Sequence, residues 1–216
     1  MNRAERAAEI LRVLRTIYPD VRCELDHDGP FQLLVATILS AQCTDKRVNL
    51  VTPELFRRYP DAGRLAGAAA EDVEELVRTT GFFRSKAKNI RAAAAELMAR
   101  HGGEVPRELE ALTVLPGVGR KTANVVLGNA YGIEAGVVVD THVGRLSRRL
   151  GLTKHADAVK VEQDLIKLVP RDAWTEWSHL LIWHGRRRCF ARNPDCAGCE
   201  LALICPTAGK HGTRKK

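Results

Sequence analysis

The sequence predicts an all-α protein, and three observations predict it. Apolar residues recur at three- and four-residue intervals along most of the chain, glycine or proline punctuates nearly every junction, and no sustained period-two strand pattern occurs. Taken in order, residues 4–17 set Ala7, Ile10, Leu11, Leu14 and Ile17 on one face with Arg and Glu opposite, and Pro19 stops that helix. The same reading predicts helices over about 30–40, 44–57, 71–79, 84–100, 108–115, 120–130, 141–150, 155–168 and 172–184, joined by short loops. Trp174, Trp177 and Trp183 are spaced along the last of these and read as packing residues. Ala135–Val139 is β-prone but has no partner strand. Neither an internal repeat nor a low-complexity linker marks a domain boundary. The C-terminal segment lacks the apolar length to hold itself, and the N-terminal helix is available to it, so the two chain ends read as one domain around a continuous central one.

A chain of 216 residues, 45% hydrophobic, buries a sizeable core as one large domain or two small ones. The longest apolar stretch, Leu33–Leu39 with Thr37 inside it, is far too short to cross a bilayer, and the N-terminus has no signal-like apolar core. The expectation is a cytosolic, reducing location with no membrane partner. A net charge of +8 and a pI near 9.4 favour a polyanionic partner. Arg186–Arg188 and the tail Lys210–Lys216 fit a solubilising surface equally well.

Cys189, Cys196, Cys199 and Cys205 follow the spacing C-x6-C-x2-C-x5-C in a basic, turn-rich segment. In a reducing compartment such a cluster reads as metal ligands rather than disulfides. Ligand chemistry alone leaves zinc and an iron–sulfur centre almost equal, because both accept tetrahedral thiolates. Arg186, Arg187, Arg188 and Arg192 surround the first ligand and suit both charge balance and phosphate contact. Cys23 and Cys43 are isolated and expected to be unbridged.

Within Leu112–Leu127, LTVLPGVGRKTANVVL, an apolar helix end meets Pro116-Gly117-Val118-Gly119, and Arg120-Lys121-Thr122 opens another apolar-periodic helix. Two glycines at that spacing permit a tight hairpin whose backbone N–H groups face outward at a helix N-terminus, a geometry that holds phosphate without side-chain charge. The partner is then a nucleic-acid backbone, contacted for position rather than sequence. The plain alternative is an ordinary helix–helix turn. A nucleotide P-loop is excluded by the absence of G-x4-GK[ST] and of a preceding strand.

The LPGVGRKTA hairpin, the VDTHV of Val139–Val143, the LSAQCTD of Leu39–Asp45 and the four terminal cysteines together resemble the endonuclease III family, from about Ala7 to Pro206. The resemblance implies a helix-hairpin-helix DNA glycosylase fold: a six-helix central domain over 22–134, and a helical iron–sulfur domain formed by 1–21 with 135–216, with a cleft between them. It implies a bacterial monomer, cytoplasmic and nucleoid-associated when on DNA. Its partner is double-stranded DNA containing a damaged base or an abasic site. The implied reaction excises oxidised pyrimidines such as thymine glycol and nicks the strand by β-elimination. By the same resemblance Lys121 is the nucleophile, Asp140 the catalytic carboxylate, and Cys189, Cys196, Cys199 and Cys205 hold a [4Fe-4S] cluster. Gly117, Gly119 and Arg120 contact DNA. Gln42 and Phe82 fill the gap left by a flipped nucleotide, and Asp45 and His142 shape the base pocket.

The residues' own chemistry agrees. Lys121 sits at a helix start beside Arg120, where the helix dipole and a neighbouring cation both disfavour the ammonium form, and a free amine is what a Schiff base requires. A plain phosphate contact is the competing role. Asp140 precedes a helix and reads as an N-cap, a position that also keeps a carboxylate ionised for charge stabilisation. Gln42 reads alternatively as a helix cap, Phe82 and Phe83 as core residues around Gly81, and Asp45 and His142 each as a local cap or a satisfied core contact. The family more often carries leucine at the Phe82 position. Competing functions are a mismatch-specific thymine or uracil glycosylase on the same scaffold, and a non-catalytic DNA-binding module with a structural metal. The adenine-removing relative characteristically lacks the lysine.

Overall fold

The structure, a computed structural model, describes residues 1–210; the basic tail beyond Lys210 lies outside the described residues. Helices α1 (Arg3–Ile17), α2 (Gly29–Leu39), α3 (Asp45–Arg58), α4 (Ala62–Ala66), α5 (Ala70–Val77), α6 (Phe83–His101), α7 (Leu109–Thr113), α8 (Arg120–Tyr131), α9 (Thr141–Arg149), α10 (Ala158–Leu165) and α11 (Trp174–Arg187) account for most of it. Short 3-10 turns at Arg78–Thr80 and Arg171–Ala173 precede α6 and α11. Among the described residues there is no strand. The chain divides into two compact units, Cys23–Ala135 and the two ends, Met1–Arg22 with the segment from Gly136 onward.

The central unit is built on α2, whose residues Leu33–Leu39 are all buried. A helix apolar on every side belongs in the middle of a core, and α2 packs against α3, α6 and α8. Leu55, Leu65, Ile90, Leu97, Leu112 and Leu127 close around it, each at most 1% exposed. Every such side chain contributes roughly 1.5–3 kcal/mol of burial. Cys23 and Cys43 form no disulfide and are packed partly buried against this core. The five-residue α4 was not anticipated. Asp61 accepts from Arg64 N at 2.8 Å to cap it, and Leu65 anchors it against α6.

The second unit pairs α1 with α9, α10 and α11. Asn2 and Glu5 form a reciprocal capping box at 2.8 and 2.9 Å, and Ala7, Ile10, Leu11 and Leu14 give α1 its buried stripe. That stripe joins a core with Leu146, Leu165, Trp177, Leu180 and Leu181. Trp177 is fully buried, and Trp174 donates Nε1–H to Val169 O at 3.0 Å. Trp183 lies under the Arg187 guanidinium, 4.0 Å from its ring centre, so all three tryptophans pack. The β-prone run before Asp140 is extended without pairing. Val137 and Val138 are buried, and the Val138 N–H finds the Ser178 hydroxyl at 3.0 Å instead of a neighbouring strand.

Candidate nucleic-acid interface and metal centre

Between α7 and α8 the chain folds back through Leu115 N–H to Leu112 O at 3.1 Å and Val118 N–H to Leu115 O at 3.0 Å, with Val118 buried. Gly117 has φ +78, and a Cβ there would stand 2.9 Å from Asn89 Cβ, so both backbone and space demand glycine. Gly119 is the N-cap of α8; its carbonyl accepts from Ala123 N at 3.0 Å, and no side chain caps the helix. The opening N–H groups of α8 therefore point outward at the positive end of a twelve-residue helix. Gly117, Gly119, Arg120 and Lys121 are all exposed there. A phosphate group matches that surface.

Two further exposed residues of this unit, Gln42 (φ +52) and Phe82 (φ +46), adopt the left-handed backbone that L-residues avoid. Gln42 does not cap α3: Thr44 does, accepting from Arg47 N at 3.3 Å. Asp45 is the first residue of α3 and is half-buried. Phe82 is 69% exposed, whereas Phe83 packs against the core, so the two adjacent rings part company at Gly81 (φ +72). An exposed aromatic on a strained backbone needs a reason beyond packing.

Asp140 and His142 belong to the other unit. Asp140 is half-buried and caps α9, its Oδ1 accepting from Val143 N at 2.8 Å. His142 lies against Gly185 of α11, where a Cβ would fall 2.8 Å from its Nδ1. Burial pushes the His142 imidazole below its ordinary range, against the opposing pull of the Asp140 carboxylate, while the Arg145 cation lowers it further. Arg145 donates to Gly185 O at 3.1 Å and to Cys189 O at 3.0 Å, joining α9 to the segment after α11.

The four cysteines of that segment line one cavity, together with Arg149, His184 and Arg188. Among the described residues no three His, Cys, Asp or Glu side chains converge to clasp a single metal ion. Four thiols lining one cavity suit a thiolate-held metal centre. Sequence reasoning named Arg188 beside the first ligand but missed Arg149 and His184. Arg149 donates to Cys189 Sγ at 3.2 Å, Phe190 O at 2.7 Å and Ala191 O at 3.0 Å. His184 Nε2 stands 3.4 Å from Cys199 Sγ, and the Tyr18 hydroxyl 3.2 Å from its Nδ1. Burial holds the Cys199 thiol up at about 11 and His184 down at about 4. Replacing Arg149 by alanine strips three hydrogen bonds from the loop carrying the first cysteine. The expected result is incomplete iron and sulfide content per purified chain; full content would show that the loop holds its shape unaided.

A helical fold with a glycine hairpin leading into a bare helix N-terminus has the form of the helix-hairpin-helix class of DNA-acting proteins. Residues 35–171 match the HhH-GPD superfamily of base excision DNA repair proteins. Endonuclease III of Synechocystis sp. is 56% identical over 207 residues, covering 96% of this chain and 94% of the relative. Two solved structures superpose with TM-score 0.92: a non-covalent endonuclease III–DNA complex, 42% identical and covering 97% of this chain and 98% of that one, and a trapped endonuclease III–DNA covalent intermediate, 41% identical and covering 97% and 99%. The chain belongs to the endonuclease III family. Among the described residues no helix is long and apolar enough to cross a membrane.

Proposed function

We propose that this protein is a DNA glycosylase with AP lyase activity, which excises oxidised pyrimidines from duplex DNA through a lysine Schiff base and nicks the strand by β-elimination. The observation that carries the reading is the Gly117–Gly119 hairpin, with Lys121 exposed on the first turn of α8. The hairpin N–H groups and Arg120 grip the phosphate backbone beside the lesion. Phe82 enters the stack and Gln42 faces the orphaned base, together offsetting an unstacking cost of about a few kcal/mol. The Lys121 amine attacks the sugar C1′; the glycosidic C–N bond breaks and the base departs with its electron pair, taking up a proton. Opening of the sugar ring leaves an iminium, loss of a C2′ proton follows, and the 3′ phosphate leaves. Asp140 stabilises the positive charge that develops on the sugar. Asp45 and His142 border the extruded base.

Cys189, Cys196, Cys199 and Cys205 hold a [4Fe-4S] cluster, which supplies the metal–thiolate bonds that fasten the C-terminal segment. On this reading residues 1–21 and 135–216 form the iron–sulfur domain, and 22–134 the domain of the hairpin. The protein works in the bacterial cytoplasm, at the nucleoid when on DNA. Borohydride reduction on a duplex carrying one thymine glycol tests the function. A lesion-dependent covalent adduct is expected; no adduct from cluster-loaded, DNA-bound protein, with an adduct on a mismatched thymine or uracil duplex, would replace the substrate class.

A further inference from the structure

The central unit buries one lysine. Lys86, on the first turn of α6, is 5% exposed and shares a stripe with Ile90, Ala93 and Leu97, where an apolar residue would pack without cost. Burial pushes its ammonium below the usual lysine range. A charge kept in such a place must be doing something with its donors. Its Nζ donates to the Thr80 carbonyl at 2.7 Å, and its backbone N–H donates to the Phe82 carbonyl at 3.0 Å. Lys86 therefore holds the chain on both sides of Gly81–Phe82. Thr80 is itself buried, its hydroxyl donating to Val77 O at 2.8 Å, so the carbonyl that Lys86 grips belongs to a fixed point.

The gripped turn is the one with a strained backbone. Gly81 (φ +72, ψ +150) and Phe82 (φ +46, ψ +31) are consecutive positive-φ residues, and Phe82 has little packing to keep it there, being 69% exposed. Released, Phe82 would relax to an ordinary conformation and its ring would swing away. Cys43 lies within electrostatic reach of the same ammonium, next in sequence to Gln42, the other exposed left-handed non-glycine residue of this unit. We propose that Lys86 is a positioning residue for base extrusion: its buried ammonium pins the Thr80 carbonyl and so holds Phe82 poised for insertion into DNA.

This rests on the wedge role given to Phe82 above, and the test separates the two. Lys86→Met keeps the length and packing of the stem and removes the donor. Single-turnover excision of thymine glycol, and fluorescence of a 2-aminopurine opposite the lesion, are measured for Lys86→Met, Phe82→Ala and the double variant, with ¹⁹F resonances of a fluorophenylalanine at position 82 in the free enzyme. Excision and base opening are expected to fall about tenfold in Lys86→Met, as a displaced positioning group costs. The fluorine signal should broaden or split, and the double variant should be no slower than Phe82→Ala. Wild-type excision in Lys86→Met beside a slow Phe82→Ala overturns the proposal while sparing the wedge. Additive losses overturn it too, because Lys86 would then act through something other than Phe82. Wild-type behaviour of Phe82→Ala removes the wedge reading itself, and the proposal with it. Should Lys86→Met not fold, Lys86→Gln takes its place in every measurement: a mobile ring with slowed excision supports the tie, and a fixed ring with wild-type excision overturns it.

Discussion

On the proposed mechanism Lys121→Ala is expected to abolish the borohydride-trapped complex on a thymine glycol duplex and to slow base release by on the order of 10³-fold or more, as removal of a covalent nucleophile does. The variant should fold normally, because Lys121 is exposed on the first turn of α8 and α8 is held by Ala123, Val126 and Leu127 on its opposite side. It should also still bind duplex DNA, since the hairpin N–H groups proposed to grip phosphate belong to the backbone. One phosphate contact fewer would weaken binding modestly and reduce its salt dependence by roughly one counterion's worth. The measurement is therefore a pair: covalent adduct by denaturing gel, and affinity on a non-cleavable duplex over a salt series. Loss of both together would make Lys121 a phosphate contact, and an adduct that persists in the variant would assign the imine to another amine.

The helices were legible because their signal is repeated. A buried stripe such as Ala7, Ile10, Leu11 and Leu14 states its own period, and the glycines and prolines at the junctions set the boundaries to within a few residues. The five-residue α4 has too few residues to show a period, and only Asp61 and Gly67 at its ends marked it. The Ala135–Val139 run carries β-branched residues for burial rather than pairing, a distinction composition does not draw. Phe82 and Phe83 are identical in type, so nothing in the sequence tells which ring is outside. Gly81 and the left-handed backbone after it decide that.

The residues that support the site were less visible than those that form it. Four cysteines in a short span announce themselves, and they do line one cavity. Arg149 does not, because an arginine at the end of a basic helix looks like surface until its three acceptors are seen across the fold. His184 and Lys86 did carry a signal. His184 continues the stripe Trp177, Leu180, Leu181, and Lys86 the stripe Ile90, Ala93, Leu97. A polar residue in phase with a buried face is the pattern to search for, since it either finds a partner or destabilises the helix.

Asp140→Asn is expected to separate charge from structure. The side chain caps α9 through Oδ1 and Val143 N at 2.8 Å, and asparagine caps nearly as well as aspartate, so the melting temperature should stay close to that of the parent. What disappears is the negative charge. On the proposed mechanism base release passes through a sugar carrying positive character, which a carboxylate fixed by its own helix would stabilise without reorganising. Losing such a group typically costs about 10²–10³-fold in rate. Single-turnover excision of thymine glycol should therefore slow by that order, with duplex affinity retained or slightly raised as a charge repelling phosphate is removed. Strand nicking at a preformed abasic site should suffer less, because that reaction begins after the base has gone. If excision and nicking fall equally, Asp140 acts on the lysine rather than on the departing base, and if excision is unchanged, Asp140 is a helix cap and nothing more.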